Sequence, residues 1–282
     1  QVDKNGSVYI ASSNGIFCFD PQRNTVEHIN NLGISVIDDV FLASDGRLWF
    51  GSANGLAVLN TETKEIERVV KGGNNEDYSG TRIGKIMEDR SGNIWAASFS
   101  KGLFMVARNN KGETRLKNFR HDPNQPGSIS ENRLLSLVAD EDNNIWVGAE
   151  NDGIYCLDKN RQQFKHFLSA KSDPLVAKTY SGECLFIDSG DNLWIGTYAN
   201  GLQIAPENGE AIVSYSKFKG GDLSNTNNMV NAFFELNDSI IALATDGGGV
   251  NFMNKNTGFF TNLNSSNSDL PNDYVLSIIE DE

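Results

Sequence analysis

Basic residues are scarce in this chain: 24 Lys and Arg stand against 37 Asp and Glu in 282 residues, a formal net charge of −13. A diffuse negative field repels nucleic acid and anionic membrane surfaces, so neither is an expected partner. Cysteine is scarcer still. Cys18, Cys156 and Cys184 are an odd number with no Cys-x-x-Cys, which excludes both a disulfide framework and a zinc site. Each lies in an apolar run and reads as a small buried hydrophobe. The three histidines, His28, His121 and His166, have no metal-ligand spacing. No apolar run reaches the roughly 20 residues that a spanning helix needs. Gln1 opens no charged leader region, as expected of a processed or excised chain.

Motifs of catalysis are missing too. There is no Gly-x-Ser-x-Gly. Asp246-Gly247-Gly248-Gly249 reads as a turn without the helix that a phosphate loop requires. Asp140-x-Asp142-x-Asn144 lacks the glycine and the terminal glutamate of a calcium loop. No metal and no cofactor is expected, and no catalytic residue is nominated.

What is present is a repeat. Gly-Ser-Val-Tyr-Ile-Ala-Ser (6–12), Gly-Arg-Leu-Trp-Phe-Gly-Ser (46–52), Gly-Asn-Ile-Trp-Ala-Ala-Ser (92–98), Asn-Asn-Ile-Trp-Val-Gly-Ala (143–149) and Asp-Asn-Leu-Trp-Ile-Gly-Thr (191–197) are copies of one segment, and Asp-Ser-Ile-Ile-Ala-Leu-Ala (238–244) is a weaker sixth. A glycine and an apolar residue follow each, from Gly15-Ile16 to Gly249-Val250. The aromatic position falls at Tyr9, Trp49, Trp95, Trp146 and Trp194, with Ile241 in the sixth copy, at spacings of 40, 46, 51, 48 and 47.

Each unit decodes into four short strands. In the second, Val36–Ala43 is largely apolar, Ser44–Arg47 is a tight turn, Leu48–Ser52 carries Trp49, Asn54-Gly55 turns the chain, Leu56–Asn60 follows, and Glu65–Val70 is a charged outer strand. No apolar period of 3.6 runs over a helix length. Four strands in 40–50 residues are a propeller blade, a sheet apolar on both faces that is stable only between like neighbours. The expectation is all-β: one six-bladed β-propeller domain over 1–282. Its four-stranded antiparallel blades fall at about 273–282 plus 1–30, 35–70, 81–120, 132–168, 180–218 and 228–263. Tyr274–Asp281 matches the inner strand Arg82–Asp89, so the C-terminal strand is expected to complete the first blade. The alternative is an excerpt of a larger propeller array.

The pattern Asp-x-x-Gly-x-Leu-Trp-Ile-Gly-Thr…Gly-Leu, clearest at 188–202, 43–56 and 89–103, resembles the two-component regulator propeller repeat. The resemblance covers essentially the whole chain. It departs in having six units rather than the seven of a propeller in that family, and in lacking the sixth Trp. It implies the periplasmic sensor region of a membrane-anchored hybrid two-component receptor, as in Bacteroidetes. Further propeller and sandwich domains, a homodimer and an oligosaccharide signal are implied with it. A histidine kinase would lie outside this chain, which is itself expected not to be an enzyme.

Ligand identity does not follow from the repeat, because its motif residues are structural. The Trp series recurs in mid-strand and reads as packing between blades. Inner-strand positions Asp39, Lys85, Ser136, Cys184, Asn231 and Ser277 alternate with apolar neighbours and are expected to face a wet channel. Chemistry that varies on a repeating scaffold marks the rim as the candidate site. The residues nominated for ligand binding are Arg82, Arg133, Tyr180, Tyr198, Phe99, Tyr78, Tyr274 and Asn228. Guanidinium groups fork onto hydroxyl or acidic groups, and aromatic faces stack on sugars. Two other readings stay open. One is a propeller lyase or glycosidase, with Glu150 or Asp152 beside Arg133. The other is a structural dimerisation module.

Overall fold

The computed structural model describes residues 1–29, 36–63, 65–69, 77–108, 114–168, 181–206, 212–216, 227 and 229–279. The elements formed by the described residues are all strands. The chain divides into two compact units, Gln1–Leu137 and Val138–Glu282.

The first unit holds three antiparallel sheets. The first is β1 (Val8–Ser12), β2 (Gly15–Asp20) and β3 (Thr25–Ile29); the second is β4 (Ile37–Leu42), β5 (Arg47–Ser52), β6 (Gly55–Asn60) and β7 (Ile66–Val69). The third is β8 (Ile83–Glu88), β9 (Ile94–Ser98), β10 (Leu103–Arg108) and β11 (Thr114–Phe119). The second unit has the same build. Its sheets are β12 (Leu134–Ala139), β13 (Ile145–Ala149), β14 (Gly153–Leu157) and β15 (Phe164–Leu168); β16 (Gly182–Ile187), β17 (Leu193–Thr197), β18 (Leu202–Ala205) and β19 (Val213–Tyr215); and β20 (Val230–Asn237), β21 (Ile240–Thr245), β22 (Gly249–Asn254) and β23 (Phe260–Leu263). The division between units falls within β12. Within every sheet, strands adjacent in sequence are adjacent in space.

The second sheet shows why these strands read as almost continuously apolar. Alternate residues point to opposite faces, and both faces are covered. Leu48, Phe50, Ala57 and Leu59 pack with Tyr9, Ile16 and Cys18 of the first sheet. Trp49, Leu56 and Val58 pack with Ile83, Ile86 and Phe104 of the third. Each such side chain contributes about 1.5–3 kcal/mol when fully buried, and neither face could be left in water. Strands β3 and β7 are largely exposed, as the charged outer edge requires.

Two glycines of the repeat have steric reasons. At Gly51 a Cβ would stand 2.6 Å from the Ile83 carbonyl oxygen, so the inner strand of the third sheet approaches only a bare backbone. At Gly102, φ is +77° and a Cβ would collide with the Phe119 carbonyl of the outer strand. The motif glycines therefore set strand approach and turn shape.

The first sheet differs from the expectation. It has three strands. Its inner edge is met by the chain's own first residues: Val2 bridges Val8, and the backbones of Gln1 and Tyr9 exchange hydrogen bonds of 2.8 and 3.1 Å. Tyr274 instead bridges Asp246 of the sixth sheet, and the Val275 N–H donates to the Thr245 carbonyl at 3.0 Å. No ladder takes in 275–279, where Leu276 and Ile279 are 76% and 86% exposed. Among the described residues the C-terminal segment thus adds no fourth strand to the first sheet. Its start is held by the sixth sheet, where the Asp273 carbonyl also accepts from Gly247 and Gly249.

Candidate functional site

The tight turns before Trp95, Trp146 and Trp194 are each built around one carboxylate. Asp89 Oδ1 accepts the backbone N–H groups of Ser91 and Asn93, while Oδ2 accepts the Trp95 indole N–H at 2.8 Å. Asp140 and Asp188 repeat this with Trp146 and Trp194, at 2.8 and 2.9 Å. Asp3 does so with Asn5, Ser7 and the Tyr9 hydroxyl. The Asp140 carboxylate is thereby held by Asn144 and Trp146, so the segment 140–144 is a turn device. Two of the three histidines serve as outer-strand clamps. His28 bonds the Asn14 carbonyl at 2.8 Å and His166 the Asp152 carbonyl, each ring stacked on its β-partner, Phe17 or Tyr155. Asn118 and Asn262 do the same at the equivalent position. Burial pushes the Cys156 thiol up to about 12, so it is an inert thiol. Among the described residues no group of three or more His, Cys, Asp or Glu could hold a metal.

Of the nominated residues, three come together in the first unit. Arg82 precedes β8, Phe99 follows β9, and Arg133 precedes β12. The Phe99 N–H donates to the Arg82 carbonyl at 3.0 Å, which fixes the ring beside the inner strand. Gly84 gives the ring its place: a Cβ there would stand 2.5 Å from Phe99 Cε2. The guanidinium carbons of Arg82 and Arg133 lie 4.7 and 5.6 Å from the Phe99 ring centroid. Phe99 is therefore a platform for two cations, each contact contributing about 0.5–1 kcal/mol at a surface, and not an open face for a sugar.

Arg82 has a further partner. Its Nε donates to Asp38 Oδ2 at 3.0 Å and its Nη2 to Oδ1 at 2.6 Å, a two-toothed pair between neighbouring inner strands. The Asp38 carboxylate holds the Arg82 guanidinium above its ordinary range. The Arg82 side chain remains 53% exposed. Asp38 was not nominated from the sequence, where Asp39 drew the reading. The 44-residue separation of Asp38 and Arg82, close to one repeat, was the available signal.

Asp39 takes a different place. Its carboxylate accepts the Ile86 N–H at 2.8 Å and lies 3.7 Å from Lys85 Nζ. Burial pushes it above the ordinary value, and Lys85 and Ile86 only partly restore it. Ser136 is 3% exposed and so is buried, while Lys85 and Ser277 are exposed.

The other nominations separate. Tyr78 is 6% exposed and packs edge-on against Phe104 at 4.8 Å, inside the core between the second and third sheets, which leaves no ring face for a ligand. Tyr198 and Tyr274 belong to the second unit, at 59% and 68% exposure. Tyr198 follows β17, and the ring of Tyr274 stands over Gly247. Tyr180 and Asn228 lie outside the described residues. Of the acid pair weighed for catalysis, the Asp152 carboxylate is engaged by the Tyr155 hydroxyl.

The six sheets match solved structures across nearly the whole chain. The β-propeller domain of Cps50 (Swd1) from Myceliophteria thermophila aligns with 92% of this chain and 83% of its own, at 9% identity and a TM-score of 0.59. The fold is a β-propeller. The propeller also matches a catalytically inactive virginiamycin B lyase from Staphylococcus aureus, over 93% of this chain and 81% of that one, at 17% identity and a TM-score of 0.66. A third likeness is to the extracellular domain of the putative hybrid two component system BT4673 from B. thetaiotaomicron, over 97% of this chain, at 14% identity and a TM-score of 0.55. This propeller spans 42% of the length of that Bacteroides chain. At such identities the likeness is one of fold. No family model and no curated protein matches the chain.

Proposed function

We propose that this propeller is part of the periplasmic sensor region of a membrane-anchored hybrid two-component receptor, and that it binds an oligosaccharide through the Arg82–Phe99–Arg133 surface. The observation that carries the reading is the pair of guanidinium groups stacked on one aromatic ring, with the Arg82 side chain 53% exposed. Guanidinium N–H groups held in fixed planes fork onto hydroxyl and acidic groups, and the hydroxyls of a glycan are numerous and rigidly placed. The fold it shares with the BT4673 extracellular domain supports the location and the signalling role. Further propeller and sandwich domains of the parent receptor, and its homodimer, are part of the same proposal. So is the single-domain reading of 1–282. The chain itself does no chemistry in this reading, and a kinase would lie in other domains.

Signalling requires only that the ligand favour one receptor arrangement over another. Calorimetric titration of the propeller with a panel of plant and host oligosaccharides tests the reading. Binding to one class, weakened at least tenfold by Arg133→Ala with the melting temperature unchanged, is expected. Binding that survives Arg133→Ala and Arg82→Ala would move the site elsewhere, and turnover of a bound glycan would replace the sensor with an enzyme.

A further inference from the structure

Positive charge is concentrated on one stretch of this acidic chain. From Arg82 to Arg133 lie ten of its 24 basic residues and five of its 37 acidic ones, a net charge of +5 where the whole chain carries −13. The stretch opens and closes on the two arginines stacked on Phe99, and the backbone gathers two more cations beside them. The Gly102 N–H donates to the Asn132 carbonyl at 2.9 Å, which sets the turn carrying Lys101 next to Arg133. A Cβ on Gly102 would stand 3.0 Å from the Arg120 Cα, so the chain leaving β11 reaches the same turn. Arg82, Lys101, Arg120 and Arg133 are all exposed, and Lys101 has no ion pair among the described residues. Nearby, Asp38 forks onto Arg82, and the Glu131 carboxylate folds back onto the Arg133 backbone N–H at 2.8 Å.

The two arginines differ in what the neighbouring strand offers them. Each stands one residue before an inner strand, Arg82 before β8 and Arg133 before β12. On β4 the register passes over Asp38, between Ile37 and Asp39, and on β8 it passes over Gly84, between Ile83 and Lys85. A bulge re-aims its side chain, and Asp38 thereby reaches Arg82. At Gly84 there is no side chain to aim, and the Phe99 ring takes the space. The carboxylate that β4 presents to Arg82 thus has no counterpart on β8, and Arg133 meets an aromatic ring there.

We propose that the oligosaccharide held by this surface is acidic. A carboxylate or sulfate on one sugar accepts from the Arg133 guanidinium beside Gly84, as Asp38 accepts from Arg82, and acidic groups on neighbouring sugars face Lys101 and Arg120. The inference rests on the reading that this surface binds an oligosaccharide, and adds the charge of that ligand. Phe99 offers no open face to a sugar ring, so recognition falls to the cations. A guanidinium fork matches two oxygens of a carboxylate or sulfate, and such charge-assisted bonds are about twice as strong as neutral ones. A positive field on one face of a negative protein also steers an anion to that face.

Matched ligands test the proposal by calorimetry on the whole propeller. Tetragalacturonate is set against its methyl ester, a κ-carrageenan tetrasaccharide against its desulfated form, and a heparin tetrasaccharide against its desulfated, carboxyl-reduced form. The first carries carboxylates, the second sulfates and the third both. The acidic member of at least one pair is expected to bind at least tenfold more tightly than its neutral twin. Its affinity should fall at least tenfold between about 0.1 and about 1 M sodium chloride, as the screening length shortens from about 10 to about 3 Å. Lys101→Gln should weaken it at least threefold and flatten the salt dependence, while Lys101→Arg, which keeps the charge, should bind as the parent does. A neutral twin that binds as tightly, and is lost in Arg133→Ala, overturns the acidic ligand and leaves the oligosaccharide reading standing. No binding by any member overturns both. Acid binding untouched by salt and by Lys101→Gln overturns the inference, because the cations named would then play no part. Equal binding of tripolyphosphate means unspecific charge only and overturns it too.

Discussion

Trp95 Nε1 donates to Asp89 Oδ2 at 2.8 Å across six residues of chain, and the bond closes the tight turn on which the third sheet is built. The same Asp receives two backbone N–H groups, so one carboxylate ties turn, strand and core together.

Asp89→Ala leaves the Trp95 indole without its acceptor inside a packed core. Removing one partner of a buried bond to a charged group costs about 1–3 kcal/mol, and Asp188→Ala is expected to cost the same in the fifth sheet. Ala43 holds the corresponding place before Trp49, whose buried indole N–H has no acceptor. Ala43→Asp therefore runs the other way and is expected to stabilise by about 1 kcal/mol. Urea unfolding of the three variants checks the opposite signs.

Acid is expected to destabilise the chain partly through these turns. Burial pushes the Asp89 and Asp188 carboxyls up, but the hydrogen bonds from Asn93 and Trp95, and from Trp194 and Asn192, outweigh it and hold both below the ordinary 3.8. Their stabilisation is complete above that value, where both folded and unfolded chains are ionised, and is lost as pH falls through the lower folded value. Glu235, bonded to Lys255 and Ser189, adds in the same direction. Asp39 has the reverse sign. Its carboxyl is raised, so its contribution is present below 3.8 and is lost as pH rises through the folded value. Asp39→Asn should therefore gain stability relative to the parent protein at neutral pH and lose that gain in acid. Denaturation midpoints followed from about pH 7 down to about pH 3 check both signs.

Gly102→Ala and Gly46→Ala share a strained backbone and differ in space. Both have positive φ, +77° and +81°, but a Cβ at Gly46 meets nothing within 4 Å, whereas at Gly102 it strikes the Phe119 carbonyl. Gly46→Ala should cost about 1–2 kcal/mol for the left-handed backbone alone. Gly102→Ala should cost clearly more and loosen β11, which hydrogen exchange on Leu103–Phe119 would report. Equal costs would mean that the carbonyl yields.

Tyr78→Ala and Tyr198→Ala separate core from surface among the tyrosines. Tyr78 fills the space against Phe104, and its loss should cost about 3–5 kcal/mol, the range for large aromatic cavities. Tyr198, 59% exposed, should change stability by less than about 0.5 kcal/mol. Thermal denaturation distinguishes them. A glycan affinity that falls in Tyr198→Ala would place a binding residue in the second unit.

Much of this propeller was legible from local pattern. The Gly–apolar–Trp segments, the turn glycines and the alternating apolar strands each follow from short-range geometry, and they made the all-β architecture of four-stranded antiparallel sheets legible. The candidate site was legible only in part. Arg82, Phe99 and Arg133, which lie together in the structure, were nominated because variable residues at repeated positions stand out. Tyr78 misled because an aromatic in a turn-rich segment looks like a rim residue, and only the packing of Phe104 shows otherwise. Asp38 was passed over because nothing in its own neighbourhood marks it; its meaning lies one repeat away, in Arg82.

The sequence by itself determined the repeat, the strand order within each sheet and the two-sided apolar character of the inner strands, because side-chain period and turn chemistry act over a few residues. Only the tertiary structure decided which carboxylate meets which cation, that Trp49 is left with an unused donor, and that Tyr274 joins Asp246 rather than the first sheet. Those outcomes depend on hydrogen bonds and packing between groups far apart in the chain. In such contacts partner, distance and register compete at once, and no local pattern ranks them.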